Sequence, residues 1–245
     1  MTNRILLLGA LMVWMTTLAG AQTARVLFLG ENHRSETDHQ GQMNVLRSLE
    51  GEPFVLAAEM FTARSNAFLE RWNKGDGKID RELWDSEWGH PYELYKNIFD
   101  WTQSRGVLAA LRPDPELTSK IKKSGPLAAV PHIDEMLVGP AAYRESLRAI
   151  FAAHLPTDVP ISEDMVDKYF LVQCFWDEYM AWRIGQLADR YPEHRIVVLV
   201  GYGHLDPRFG IPARLKRRRP DLESVNIAFD EKRRASCDIL LRPGR

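Results

Sequence analysis

The stretch VLFLGENHRSETDHQGQMNVLRSLEG, residues 26–51, decides the fold. Its first four residues are a continuous apolar run of strand length, the pattern of a strand buried on both faces of a parallel sheet. Thr37 or Asp38 is placed to cap a helix in which Gln42, Val45, Leu46 and Leu49 recur at intervals of three and four, and Gly51 supplies a stop signal. A second apolar run follows at Phe54–Ala58, so the segment reads as one β-α-β unit.

The same pattern repeats outward from that unit. Val107–Leu111 and Ile196–Val200 are further buried strands, and Val225–Phe229 is a fifth. Helical periodicity fills the intervals: Arg64 to Asn73; a helix opened by Pro91 with Tyr95, Ile98, Phe99 and Thr102 on one face; and Pro140 to Ala153. The longest helix runs from a Ser162 cap, with Glu163 and Asp164 in its first turn, to about Arg190, where Tyr191-Pro192 ends it. Its inward stripe places Gln173 and Asp177 among Val166, Phe170, Cys174, Ala181, Ile184 and Leu187, and buried polar groups need partners. The expected fold class is therefore α/β, a central mostly parallel sheet flanked by helices with an aromatic-rich helical subdomain.

Composition bounds what such a fold can do. The chain has 245 residues, 45% hydrophobic and 27% charged, the proportions of a globular protein. Its 32 Lys and Arg nearly cancel 33 Asp and Glu, giving a net charge of −1, so binding to nucleic acid by bulk charge is excluded. The first residues carry an address. Arg4 is the positive charge of a short leader, Ile5 to Leu18 are 14 mostly apolar residues, and Ala19-Gly20-Ala21 offers the small side chains of a cleavage site. Spanning a membrane takes roughly 20 apolar residues, so the run reads as an export signal that is removed, leaving no membrane anchor. Leu18-Ala19-Gly20 would precede the lipid-bearing Cys of a lipoprotein, but Ala21 stands there. The expected organisation is a signal at 1–21, one domain at 25–230 and a C-terminal tail at 231–245, in the periplasm or secreted. Cys174 and Cys237 are left as a bridge or as two isolated thiols.

Strands of a parallel sheet all end on one edge, so residues that follow them meet whatever their sequence separation. The first strand is followed by Gly30-Glu31-Asn32-His33, the second by Glu59, the third by Arg112 and the fourth by Gly201-Tyr202-Gly203-His204. The two Gly-x-x-His segments read as tight exits that present an imidazole at the rim. Glu31, His33, Glu59 and His204 form a candidate catalytic set. His33, Glu59 and His204, joined by His39, form a candidate site for manganese, cobalt or zinc, with Glu31 as general base toward a bound water. The same groups without metal could run acid–base catalysis. The bland alternatives are a Glu59–Arg112 salt bridge and a structural Gln173–Asp177 pair; otherwise those two helix residues hold the histidines.

Between Trp72 and Trp101 lie Trp84, Trp88, Tyr92, Tyr95 and Phe99, which either pack a core or wall a planar cofactor, with Tyr92, Tyr95 or a His as axial ligand. The basic run Arg214–Arg219 is either a solvated helix face or a seat for an anion. There is no G-x-S-x-G elbow, no Walker loop, no H-E-x-x-H and no G-x-G-x-x-G, so serine hydrolases, P-loop nucleotidases, zincins and dinucleotide enzymes lack their first requirement.

Taken in order, the motifs resemble the ChaN-like haem-binding uptake proteins, of the wider group that holds the Tiki metalloproteases and erythromycin esterases. The resemblance rests on LFLGENHRSETDHQGQ with Glu31, His33, His39 and Gln42; on AAEMF with Glu59; on WGHPYELY; on QCFWDEYMA with Gln173, Trp176 and Asp177; and on GYGHLDPRFGIPARL with His204. Arg34-Ser35-Glu36 departs from the Asp-Asn-Pro usual in relatives. The resemblance implies haem or another small iron-bearing ligand, held outside the cytoplasm in connection with iron uptake, with haem between the subunits of a homodimer. Tyr92, Tyr95, Gln173, Trp176, Asp177 and Arg112 are then the expected cofactor contacts.

Overall fold

The computed structural model describes residues 23–125, 133, 136–156 and 159–241. The export signal expected at 1–21 lies outside the described residues. Six strands form one all-parallel sheet: β1 (Val26–Glu31), β2 (Phe54–Thr62), β3 (Val107–Arg112), β4 (Arg195–Gly201), β5 (Ser224–Ala228) and β6 (Ile239–Leu240). Their order across the sheet is β3-β2-β4-β1-β5-β6. The α/β expectation holds, with each strand expected from an apolar run found in place. The segment read as a C-terminal tail does more than trail: a 3-10 turn at Glu231–Ser236 leads into β6, which pairs with the end of β5.

Eight helices described between the strands are α1 (Glu36–Ser48), α2 (Asn66–Trp72), α3 (Arg81–Glu87), α4 (Glu93–Gln103), α5 (Pro115–Ser124), α6 (Ala141–His154), α7 (Glu163–Arg190) and α8 (Ile211–Arg218). Helix α1 starts earlier than the Thr37 or Asp38 cap suggests. Ser35 is its cap, its hydroxyl accepting from the Asp38 N–H, so Asp38 is free to turn its carboxylate to the Asn32 N–H at 2.8 Å. Ser162 caps α7 as expected, accepting from the Met165 N–H. Pro91 falls just before α4, whose cap position is Tyr92.

Alternation along the strands splits the core into two layers. Leu27, Leu29, Leu56, Ala58, Leu108 and Leu199 face α1 and the aromatic helices, meeting Leu46, Leu69, Trp84 and Phe99. Val26, Phe28, Val55, Ala57, Val198 and Val200 face α7 and α8, meeting Met180, Ile184, Ile211 and Leu215. The aromatic stretch is thus in large part core: Trp84, Tyr95 and Phe99 are fully buried. A single buried carboxylate fastens α8 to α7. Glu178 is bonded by Arg214, Arg217 and Arg218, so part of the basic run is an internal clamp. Among the described residues no helix is long and apolar enough to cross a membrane.

Candidate functional site

The strands deliver their ionisable ends to one edge, but on two faces of it. Glu31 follows Leu27 and Leu29 in alternation and therefore lies on the α1 side. It is buried, and donors surround it. His33 Nδ1 lies 2.8 Å from Oε1, the Tyr95 hydroxyl donates to the same oxygen at 2.5 Å, and Gln42 Nε2 donates to Oε2 at 2.8 Å. His39 stands behind, its Nε2 3.7 Å from Oε2 and its Nδ1 donating to the Ser35 carbonyl. Burial alone would raise the Glu31 carboxyl; the bond and charge of His33, the charge of His39 and the Tyr95 hydroxyl reverse that and hold it below the usual carboxylate range. Burial together with the Glu31 charge drives the Tyr95 phenol strongly up, so it stays a donor.

Glu59 comes one residue after the last β2–β4 pair, Ala58 with Leu199, where β2 also breaks register with β3. The Gly201 N–H at that point has no strand partner on the β2 side and donates to Glu59 Oε2 at 2.7 Å. Glu59 Oε1 lies 3.4 Å from His204 Nε2, and His204 Nδ1 donates to Asp177 Oδ1 at 2.6 Å. Tyr143 of α6 then donates to Asp177 Oδ2 at 2.6 Å. An imidazole between two buried carboxylates is held as imidazolium. Burial works against the charge, but Glu59 and Asp177 outweigh it and raise His204 to about 10. Burial likewise opposes ionised Glu59, yet His204, His33 and the Gly201 N–H bring it down to about 2.

His33 joins the two clusters across the sheet edge. A Cβ built on Gly201 would stand 2.7 Å from His33 Cε1, 2.9 Å from Nε2 and 3.6 Å from Glu59 Oε2, so glycine is required there for close approach. Gly201 has φ −60°, so the expectation of a special turn conformation is replaced by one of space. Burial lowers His33, but the bond to Glu31 and the charge of Glu59 overcome it, and its net shift is upward.

Arg112 does not pair with Glu59. Its guanidinium bonds the Glu87 carbonyl, lies 3.9 Å from the Glu87 carboxylate, and sits over the rings of Trp88 and Trp176 at 5.0 and 5.5 Å. Trp176 in turn stacks on His204 at 6.2 Å and donates to Thr118. Asp177 is a positioning residue for His204 rather than half of a Gln173–Asp177 pair; Gln173, one turn earlier and buried, bonds neither histidine. Tyr92 packs its ring on Trp84, in the aromatic core rather than among the ionisable groups.

The metal set does not assemble. Among the described residues no group of three or more His, Cys, Asp and Glu is arranged to hold an ion. His204 has a carboxylate at each nitrogen, Glu59 has spent one oxygen on Gly201, and His39 lies against Glu31 on the other face. Three residues that motif reading passed over belong to the edge. His90, within a segment noted for its tryptophan and tyrosines, places its ring 4.9 Å from His33 and 5.2 Å from Trp88. Burial, and the charges of His33 and Arg34, lower its pKa. Glu87 anchors Arg112 and caps the Thr62 N–H and the Ser65 hydroxyl. Tyr143 carries no sequence signal beyond its helix.

A family profile described as "Haem-binding uptake, Tiki superfamily, ChaN" matches residues 17–215. The solved structure of ChaN of Campylobacter jejuni, described with cofacial haem binding, superposes with a TM-score of 0.66 at 16% identity, over 89% of this chain and 84% of that one. An erythromycin esterase in its open conformation is matched with a TM-score of 0.48 at 13% identity, over 84% of this chain and 70% of that one. No curated protein sequence matches the chain.

Proposed function

From the premise that this chain belongs to the ChaN family of haem-binding uptake proteins in the Tiki superfamily, we propose that it binds haem outside the cytoplasm as part of iron uptake. The observation that supports this reading is the sandwich of Trp88, Arg112 and Trp176 at the sheet edge. A porphyrin is flat, apolar on its faces and carries carboxylates, and two indoles flanking a guanidinium match all three properties. Trp88 and Trp176 would wall the ring, and Arg112, whose buried Nε has no hydrogen-bond partner among the described residues, would take a carboxylate. Haem, when bound, would supply an iron able to take a ligand from the protein. The relative's cofacial haem suggests two copies of this chain closing over the edge. The short apolar leader expected at 1–21 supports export.

Haem titration of the mature protein tests the proposal. A shifted Soret band with saturable stoichiometry is expected, weakened in W88A and R112A. A spectrum equal to that of free haem refutes it.

One observation favours a second reading, hydrolysis by acid–base catalysis without metal: the 2.8 Å contact that joins His33 to Glu31, in which a carboxylate orients an imidazole. Turnover of activated esters that rises with pH as His33 loses its proton, and vanishes in H33A, would support it; equal rates in the two proteins would remove it.

A further inference from the structure

The basic run of α8 is not all spent inside the fold. Arg214, Arg217 and Arg218 bond Glu178, and Arg219 pairs with Asp189 and Asp221. Lys216 is exposed and, among the described residues, no acid pairs with it. It lines a cavity of about 420 Å³ between α8 and the first half of β5. Pro207, Pro212 and Pro220 give that cavity rigid, apolar walls, and none of them brings a backbone N–H.

The floor of the cavity is a strand that lacks a neighbour there. β6 pairs with β5 only at Ile227 and Ala228. One step earlier Asp238 takes the place of a strand: its N–H donates to the Asn226 carbonyl at 2.9 Å, and its Oδ2 accepts from the Asn226 N–H at 2.7 Å. Ser224 stands two residues before Asn226 and so turns its own N–H and C=O to that same side, away from β1, where the Glu223 carbonyl accepts from Val26. Among the described residues nothing bonds either group. The Asn226 side chain faces α8, in register with Phe28. It is 4% exposed, lines the cavity and has no hydrogen-bond partner among the described residues. A buried amide calls for a partner, and this one is open to a partner that arrives from outside.

A ligand for this cleft has to carry both charges. Lys216 offers an ammonium, while Glu223 and Asp238 set exposed carboxylates around the same cavity, so a simple anion would be attracted by one group and repelled by two. We propose that the cleft between α8 and β5 binds a short extended peptide, added as a strand beside Ser224, with its terminal carboxylate on Lys216 and its ammonium toward Glu223 or Asp238. Backbone bonds to Ser224 hold the peptide, the Asn226 amide takes one of its peptide groups, and an apolar side chain packs on the prolines. Three extended residues span about 10 Å, as do Ser224 to Asn226. The cleft lies where β5 begins, whereas the edge proposed for haem lies where the strands end, so the two readings stand or fall separately.

The experiment titrates the isotope-labelled mature protein with the peptide Ala-Leu-Ala, both termini free, and follows the backbone amide resonances of β5 by NMR. Saturable shifts at Asn226 and Ile227 are expected. K216A, a change at an exposed position, should weaken binding about two- to fivefold. S224P, which deletes the outward N–H while leaving the bonds to β1, should weaken it about two- to tenfold. The acetylated and amidated peptide should bind more weakly than the free one, and acetate or leucine more weakly still. Absence of a saturable shift in β5 overturns the proposal, as does unchanged affinity in K216A or in folded S224P. Acetate that binds as tightly as the peptide makes the cleft a plain anion seat and overturns the peptide assignment. If S224P does not fold, K216A and the capped peptide decide, and full affinity in either overturns it.

Discussion

Asp177 and His204, 27 residues apart and on different elements, are joined by a 2.6 Å hydrogen bond that fixes the imidazole of the second against Glu59. Asp177 is buried in the middle of α7, where an apolar residue would be expected from the helix period, and its other oxygen is bonded by Tyr143. Replacing it by Asn keeps the shape and removes the charge. D177N should lower the His204 pKa from about 10 and cost about 1–3 kcal/mol of stability, read by histidine NMR titration and urea unfolding. An unmoved His204 titration would refute the pairing.

The same pair sets a pH window. His204 is raised from 6.5 to about 10 on folding, so its stabilisation is whole below 6.5 and is lost as pH rises through about 10. Glu59 is lowered from 4.5 to about 2, so its contribution is whole above 4.5 and is lost as pH falls through about 2. Both are complete between 4.5 and 6.5. The urea midpoint should decline toward alkaline pH above that window, and H204Q should flatten that alkaline limb; an equal slope in the variant would exclude His204 as its source.

G201A places a methyl group against the His33 ring at contact distances of 2.7 and 2.9 Å. Because β4 is hydrogen-bonded on both sides up to Leu199, the ring has to give way rather than the strand. The expected cost is about 1–3 kcal/mol in thermal or urea unfolding, with His33 displaced from Glu31. A variant of wild-type stability with an unchanged His33 resonance would contradict the close approach.

E178A removes the carboxylate under Arg214, Arg217 and Arg218 and leaves the buried Arg214 guanidinium with only the Phe209 and Leu137 carbonyls as bonded acceptors among the described residues. Loss of about 3–5 kcal/mol is expected, with hydrogen exchange accelerated first in α8. E178Q, which preserves acceptors for Arg214, should cost less.

Y95F deletes one donor to Glu31 while His33 and Gln42 remain. A loss of about 0.5–1.5 kcal/mol is expected, together with a rise in the Glu31 pKa measured by carboxylate NMR. No rise would mean that Tyr95 does not sense that charge.

The parts of the fold legible in the sequence are those where one physical constraint acts alone. Strands β1 to β4 are buried on both faces, so they appear as unbroken apolar runs, and the shared edge follows from parallel topology. Strand β6 is two residues long and flanked by Asp238 and Leu241, too short to leave a pattern. Convergence of Glu31, Glu59 and His204 could be expected from strand ends, but their division between two faces depends on a one-residue alternation and on the register break in β2. His90 was hidden because it lies in a turn between helices rather than after a strand. Arg112 could be placed in the crevice, whereas its true partner Glu87 comes from the end of α3, a contact that no spacing rule foretells.

The parallel pairing of β6 with β5 also governs how the protein should be handled at the bench. Every strand, β6 included, ends on the edge that carries His33, His90 and Trp88, whereas β1 begins on the opposite edge close after Thr23. Histidines joined to the chain directly after β6 would start from the edge that carries His33 and His90 and, on the haem-binding proposal, would compete with them for the ligand. A purification handle placed shortly before β1 starts instead from the opposite edge, separated from His33 and His90 by the full height of the sheet.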